Sequence, residues 1–248
     1  MGMNWQQLLA RQRLGADAPS EAARTRTDFQ RDFDRIVFSS AFRRMQDKTQ
    51  VFPLSTVDYV RTRLTHSLEA SSIVRSLATL VGEQVIARHG LDDLEPSDFG
   101  DICAAACLAH DIGNPPFGHS GEDAIRYWAT EGAYGRRRVA MLRGSEQEDF
   151  LRFEGNAQGF RIITRLQNPD NQGGLQLTCA TLAAFTKYPR ESWLGGNSYP
   201  GISAAKQGFV AADRSAFEAV AAATGLLRRH PNYAIWHRHP LAFLVEAA

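Results

Sequence analysis

The stretch Ile102-Cys103-Ala104-Ala105-Ala106-Cys107-Leu108-Ala109-His110-Asp111-Ile112-Gly113 decides how this chain is read. From Ile102 to Ala109 there is no polar face, so a helix over about 97–112 must be central and buried. Pro96-Ser97-Asp98 reads as its cap, with Asp98 and Asp101 near the positive end of the helix. At the far end come His110 and Asp111, before Gly113 and Pro115-Pro116 stop the helix. An acid is unfavourable there, because a helix C-terminus already carries partial negative charge. Burying a carboxylate beside an imidazole without compensation costs several kcal/mol. A divalent cation removes that cost, since neutral imidazole and carboxylate are both its ligands.

Before this helix, Leu64, Leu68, Ile73, Leu77, Leu80 and Val81 predict an apolar stripe on a helix from about Tyr59 to Arg88, stopped by Gly90. It carries His66, and a third ligand from a neighbouring antiparallel helix is sterically reasonable. Earlier still, Phe29, Phe33, Ile36, Val37 and Phe42 predict one amphipathic helix, ended by Phe52-Pro53-Leu54. Residues 1–27 read as a polar arm that packs poorly until tied down, with residues 28–248 as the domain proper.

After Gly113, the run Asn114-Pro115-Pro116-Phe117-Gly118-His119-Ser120-Gly121-Glu122 is a rigid turn presenting a second His and a Glu. His119 and Glu122 share one face if a helix begins near Ser120. A His held by a carboxylate is the usual general acid or base near neutral pH. Residues 130–150 read as loop. Helical periodicity returns at Phe160, Ile163 and Leu166 and again over 177–185. A loop over 195–201 follows, then a helix from about Asp213 and a last one after a turn at His239. Alternating strand patterns are nearly absent, so the expected fold is all-α.

Composition excludes several classes. Of 248 residues, 44% are hydrophobic and 22% charged, ordinary for a globular chain, and the formal charge is +1. An anion must therefore be handled by a local basic cluster rather than an overall field. No stretch approaches the roughly 18 apolar residues of a membrane span, and Met1-Gly2-Met3-Asn4-Trp5 is not a secretory signal. The expected setting is cytoplasmic, with no membrane partner and no specific signal for nucleic acid. Cys103, Cys107 and Cys179 are too few for a disulfide framework. Cys103 and Cys107 read as small buried hydrophobes rather than thiolate ligands, and Arg136-Arg137-Arg138 as a solvated loop rather than a phosphate site. His230, His237 and His239 lack close acidic partners, and Trp128 and Trp193 read as packing residues.

The blocks Arg63-Leu64-Thr65-His66-Ser67-Leu68-Glu69 and His110 to His119 together resemble the HD superfamily. More narrowly they resemble its dGTP triphosphohydrolase-like branch, with further matches at Phe42 to Val51, Arg152 to Gln158 and Leu175 to Pro189. The resemblance implies a helical bundle that hydrolyses a deoxynucleoside triphosphate to the deoxynucleoside and inorganic triphosphate. It implies His66, His110 and Asp111 as ligands of Mg, Mn or another transition metal, and His119 and Glu122 as the catalytic pair. Gln50 and Val51 would lie against the deoxyribose and Arg63 at the α-phosphate. Lys187, Tyr188 and Lys206 would approach phosphates and sugar, and Asn156 would belong to the site. It also implies a homo-oligomer. Other HD phosphohydrolases, such as a nucleotidase or a guanosine tetraphosphate hydrolase, share the metal motif, and a catalytically silent nucleotide-binding module remains a distinct alternative. The family pattern places a fourth ligand, an Asp, just beyond a segment like His239 to Ala248. The chain is therefore expected to be an N-terminal portion with a three-liganded site and weak metal occupancy.

Overall fold

The computed structural model describes residues 2–16, 25–48 and 61–248. Its described elements are helical, and antiparallel pairing is limited to isolated bridges such as Arg13 with Thr178. The expected all-α class is what is found. None of the described helices is long and apolar enough to cross a membrane.

The helix at the centre, α5 (Pro96–Ala109), is buried almost throughout, as its composition demands. Four helices cover it: α2 (Asp28–Val37), α4 (Arg63–His89), α10 (Cys179–Phe185) and α12 (Leu241–Ala247). Each fully buried large side chain on α5, among them Phe99, Ile102 and Leu108, contributes about 1.5–3 kcal/mol from area removed from water. Cys103 and Cys107 are buried thiols, as expected of them, and burial pushes the Cys107 thiol up to about 11.

The face by which α4 meets α5 is a correction to the expected stripe. Leu68, Ile73, Leu77 and Leu80 are exposed, and the buried positions are Ser67, Ala70, Ser71, Val74, Ala78 and Gly82. Small residues win because they let the two backbones close. A Cβ on Gly100 would lie 2.4 Å from the Thr79 hydroxyl, and one on Gly82 would lie 2.9 Å from the Phe99 ring. The Ser71 hydroxyl donates across the interface to the Ala104 carbonyl at 2.9 Å. Ala78→Leu is expected to destabilise the fold by about 1–3 kcal/mol through overpacking, whereas Leu80→Ser should be nearly neutral; a thermal melt of both variants checks the order.

The described part of the polar arm is likewise better packed than its composition implies. Helix α1 (Trp5–Leu8) and the segment after it bury Leu8, Leu9 and Leu14. Arg13 pairs with buried Asp32 at 2.7 Å, and Asp32 also accepts from the Thr178 hydroxyl at 2.6 Å. At the other end of the chain the His239 ring donates to the Leu8 carbonyl at 3.1 Å, and burial lowers its pKa to about 4. His239 thus sits in the turn before the last helix, as expected, and serves to tie the two ends together.

The expected single helix over residues 29–42 is two, α2 and α3 (Ser40–Arg43), because Ser39 caps a new start by accepting from the Phe42 amide at 3.2 Å. The region 130–150, expected as loop, holds α7 (Ala133–Val139) and α8 (Ser145–Leu151), which pack on α6 (His119–Thr130). Arg136, Arg137 and Arg138 form the exposed last turn of α7 rather than a loop. Trp128 and Trp193, expected to pack, are each about 40% exposed. Helix α9 (Gly155–Arg161) continues into a π-turn over Ile162–Leu166, and α11 (Arg214–Thr224) follows the expected start near Asp213.

Asp149 on α8 holds this outer layer to the rest. Its carboxylate accepts from the Ser192 hydroxyl at 2.6 Å and from the Ala211 amide at 2.9 Å. Burial, with Glu191 and Asp213 nearby, raises its pKa to about 6. The folded state therefore binds this proton more tightly than the unfolded state, so the associated stability is complete below about pH 4 and is lost as pH rises through about 6. Asp149→Asn can keep both bonds without the charge. It should gain roughly 1–3 kcal/mol over the parent at pH 8 and nothing at pH 4, which paired melts at the two pH values would show.

Candidate metal and phosphate site

Helix α5 ends at Ala109, and the next two residues carry the site's first two polar groups. His110 Nδ1 lies 2.6 Å from the Cys107 carbonyl, so Nδ1–H donates there and Nε2 keeps its lone pair. Burial lowers the His110 pKa, which favours the neutral, ligating form. Asp111 is buried. Its Oδ1 accepts from Asn114 at 2.6 Å and from Arg63 at 2.9 Å, while its Oδ2 has no partner. A buried carboxylate oxygen left in that state costs about 1–3 kcal/mol or more, so an unpaired Oδ2 is what a cation site needs.

His66 arrives from the first turn of α4, which starts where Thr62 caps the helix by accepting from the Thr65 amide. The close α4–α5 packing brings the His66 and His110 rings edge to face at 5.2 Å. Ligand atoms of His66, His110 and Asp111 all lie within 4.8 Å of one another. Two imidazoles and a carboxylate with one orphaned oxygen suit a divalent ion of the Mn, Fe, Co or Zn type.

The turn after Asp111 depends on Gly113, at φ 98°, where a Cβ would lie 2.2 Å from the Gly159 amide nitrogen. It leads into α6, whose first turn holds His119 and Glu122 on one face. His119 Nδ1 lies 2.9 Å from Glu122 Oε2, and Glu122 Oε1 accepts from the Gly155 amide at 2.8 Å. Burial alone would raise the Glu122 pKa, but the His119 hydrogen bond, the Gly155 amide, Lys206 and Arg126 together hold it below its ordinary value. Glu122 is therefore an anion that receives Nδ1–H, and the His119 ring extends into solvent with Nε2 free.

His110 and Asp111 of the first group and both members of the second line one cavity of about 530 Å³, with His66 just behind them. Its lining includes Arg63, His110, Asp111, His119 and Glu122 on one side and Asn156, Lys187, Tyr188 and Lys206 on the other. Gln50 and Val51 lie outside the described residues. Burial raises the Tyr188 pKa, so its phenol stays protonated.

Glu154 was not singled out from the sequence, yet it anchors the far wall. It is buried, and its Oε1 accepts from Asn156 at 2.7 Å and from Lys206 at 3.2 Å, with Arg126 at 3.5 Å from Oε2. Arg126 also reaches Glu122 at 3.5 Å, so the two carboxylates share one guanidinium. The available signal was a Glu at the cap of α9 directly before Gly155-Asn156. Lys48 was also missed; it donates to the Asn114 carbonyl at 3.1 Å and accepts the Arg63 amide through its own carbonyl at 2.9 Å, holding the turn against α4.

The sequence that builds this site is similar to known proteins. Residues 63–179 match the family model of the HD domain, which spans from the start of α4 to the start of α10. Residues 63–179 thus carry an HD domain, and HD domains are metal-dependent. It is 58% identical over 99% of its length to a deoxyguanosinetriphosphate triphosphohydrolase-like protein of Synechocystis, of which it covers 57%. Proteins of the same description from Pseudomonas aeruginosa and Listeria innocua are 47% and 42% identical over 99% of the chain, which covers 54% and 53% of them. The chain thus spans about half the length of the curated relatives it matches.

Proposed function

We propose that this protein hydrolyses a deoxynucleoside triphosphate at its α-phosphorus, releasing the deoxynucleoside and intact inorganic triphosphate. The observation that carries this reading is that the His66–His110–Asp111 group borders, through His110 and Asp111, the same cavity as the His119–Glu122 pair and the cations Arg63, Lys187 and Lys206. The names of the similar proteins point the same way.

Charge explains why a metal belongs to the reaction. In the lining, Arg63, Lys187 and Lys206 are balanced by Asp111, Glu122 and Glu154, so the protein alone offers a polyphosphate little net attraction. A divalent ion held by His66, His110 and Asp111 would supply net positive charge and Lewis-acid polarisation at the phosphoryl group. Arg63 lies beside that group and would orient the α-phosphate, while Lys187 and Lys206 would take the charge of the chain beyond it. Tyr188 and Asn156 would position the sugar and phosphates from the far wall, and Gln50 and Val51 would crowd the 2′ position of the deoxyribose. A water oxygen adds to the α-phosphorus as the bond to O5′ breaks. His119, with Glu122 accepting its Nδ1–H, would carry on Nε2 the proton that O5′ takes up, and the proton lost by the attacking water would restore the ring to that state.

The separation of products tests the reading. The full chain, given dGTP and Mn2+, should yield deoxyguanosine by chromatography. Formation of dGMP or dGDP instead would assign the cavity to a different HD phosphohydrolase, and tight binding without turnover would assign it to a regulatory module.

A further inference from the structure

On the other side of the Glu154–Lys206 ion pair lies a second cleft, of about 360 Å³. Its lining holds four cationic side chains, Arg126, Arg152, Arg190 and Lys206, against one carboxylate, Glu154. It shares only Glu154 and Lys206 with the larger cavity.

Arg190 is the most informative member. Its guanidinium donates from Nε to the Glu191 carbonyl at 2.9 Å, and from Nη1 and Nη2 to the carbonyls of Ala204 and Ser192, both at 3.0 Å. Three carbonyls therefore hold the group rigidly while leaving its charge unmatched: among the described residues no carboxylate pairs with it. Glu191, next in sequence, turns to Arg214 at 3.0 Å. Arg152, which also lines the cleft, pairs with Glu148 at 2.7 Å, and burial and then repulsion from Arg152 lower the Arg190 pKa. Beside them Gln207 is buried, and its amide nitrogen has no hydrogen-bond partner. A rigid guanidinium and an unpaired amide donor on one wall are the groups that phosphate oxygens satisfy. With a formal charge of only +1 on the whole chain, such a local excess is where an anion is drawn.

We propose that this cleft is a second oxyanion site, taking a phosphate group, and that it competes with the larger cavity for Lys206. Lys206 lies 3.2 Å from Glu154 on the partition between the two spaces. An anion in the cleft would draw the ammonium away from the cavity side and weaken phosphate binding there. This holds whatever bond the larger cavity cleaves.

The test is calorimetric titration of the full chain with inorganic tripolyphosphate in the presence of chelator, where the larger cavity lacks net positive charge. A single binding event is expected. Lys187→Ala, confined to the larger cavity, should leave it within about twofold. Arg152→Gln, which removes the charge and the exposed ion pair with Glu148, should weaken it at least tenfold with the melting temperature checked alongside, and binding that ignores Arg152 counts against the site. Arg190→Lys should weaken it likewise while keeping the charge. A parallel titration with dGTP separates the sources: comparable affinity means that nucleotide-borne phosphates enter, and absence of binding means free inorganic anion alone. No metal-independent binding of tripolyphosphate, or binding that follows Lys187 and ignores Arg152 and Arg190, would overturn the proposal.

Discussion

Asp111→Asn is expected to lower the affinity of the chain for Mn2+ by at least the roughly 10–100-fold that loss of an outer-sphere partner causes. The substitution is nearly isosteric. Its Oδ1 can still accept from Asn114 and Arg63, which now hold the carboxylate at 2.6 and 2.9 Å. What changes is the second oxygen. In the parent, Oδ2 is buried without a partner, ready to meet a cation; in the variant an amide N–H2 points there and repels one. The fold should therefore survive while the ion does not bind. Electron paramagnetic resonance titration of free Mn2+ reads the affinity directly, and far-UV circular dichroism guards against unfolding. Unchanged affinity would remove Asp111 from the ligand set.

The second large effect is expected at His119. His119→Gln should reduce kcat for a deoxynucleoside triphosphate by roughly 10²–10⁴-fold, the usual contribution of a positioned general acid or base. Metal affinity should stay within about twofold, because His119 touches Glu122 rather than the ligand group. The ring is exposed and its Nε2 is free, so the substitution removes no core contact and should hardly move the melting temperature. Glu122→Gln would act through His119 by releasing its Nδ1–H bond, and would also lose the charge that Arg126 and Lys206 compensate. Its signature would be a shift of the basic limb of the pH–rate profile to lower pH, which a purely structural loss would not produce. Equal loss of metal binding and of turnover in His119→Gln would contradict the separation of roles.

Much of the site was legible because its chemistry conflicts with local propensity. An acid at a helix C-terminus, on the most apolar helix of the chain, demanded an explanation, and Asp111 carries it. His119 and Glu122 were paired by spacing alone, and they meet. The existence of α5 followed from its apolar run and cap, and that of α9 from periodicity. The face of α4 did not, because hydropathy ranks Leu and Ile above Ser, Ala and Gly, whereas close helix packing selects residues by size. Leu80 thus faces out and Ser71 faces in. Residues 130–150 misled for a related reason: Gly132 and Gly144 read as loop signals, yet they stand at the starts of α7 and α8. Glu154 escaped notice because its partners Asn156, Lys206 and Arg126 come from separate parts of the chain, and only the folded backbone gathers them.

The most direct test of the account is the fate of solvent oxygen. The chain would be given dGTP and Mn2+ in 18O-enriched water and the products read by phosphorus NMR and mass spectrometry. The account predicts unlabelled deoxyguanosine and inorganic triphosphate carrying one 18O on a terminal phosphorus, since water adds at the α-phosphorus and the bond to O5′ breaks. Label in the deoxynucleoside, or release of orthophosphate or pyrophosphate in place of triphosphate, would contradict it.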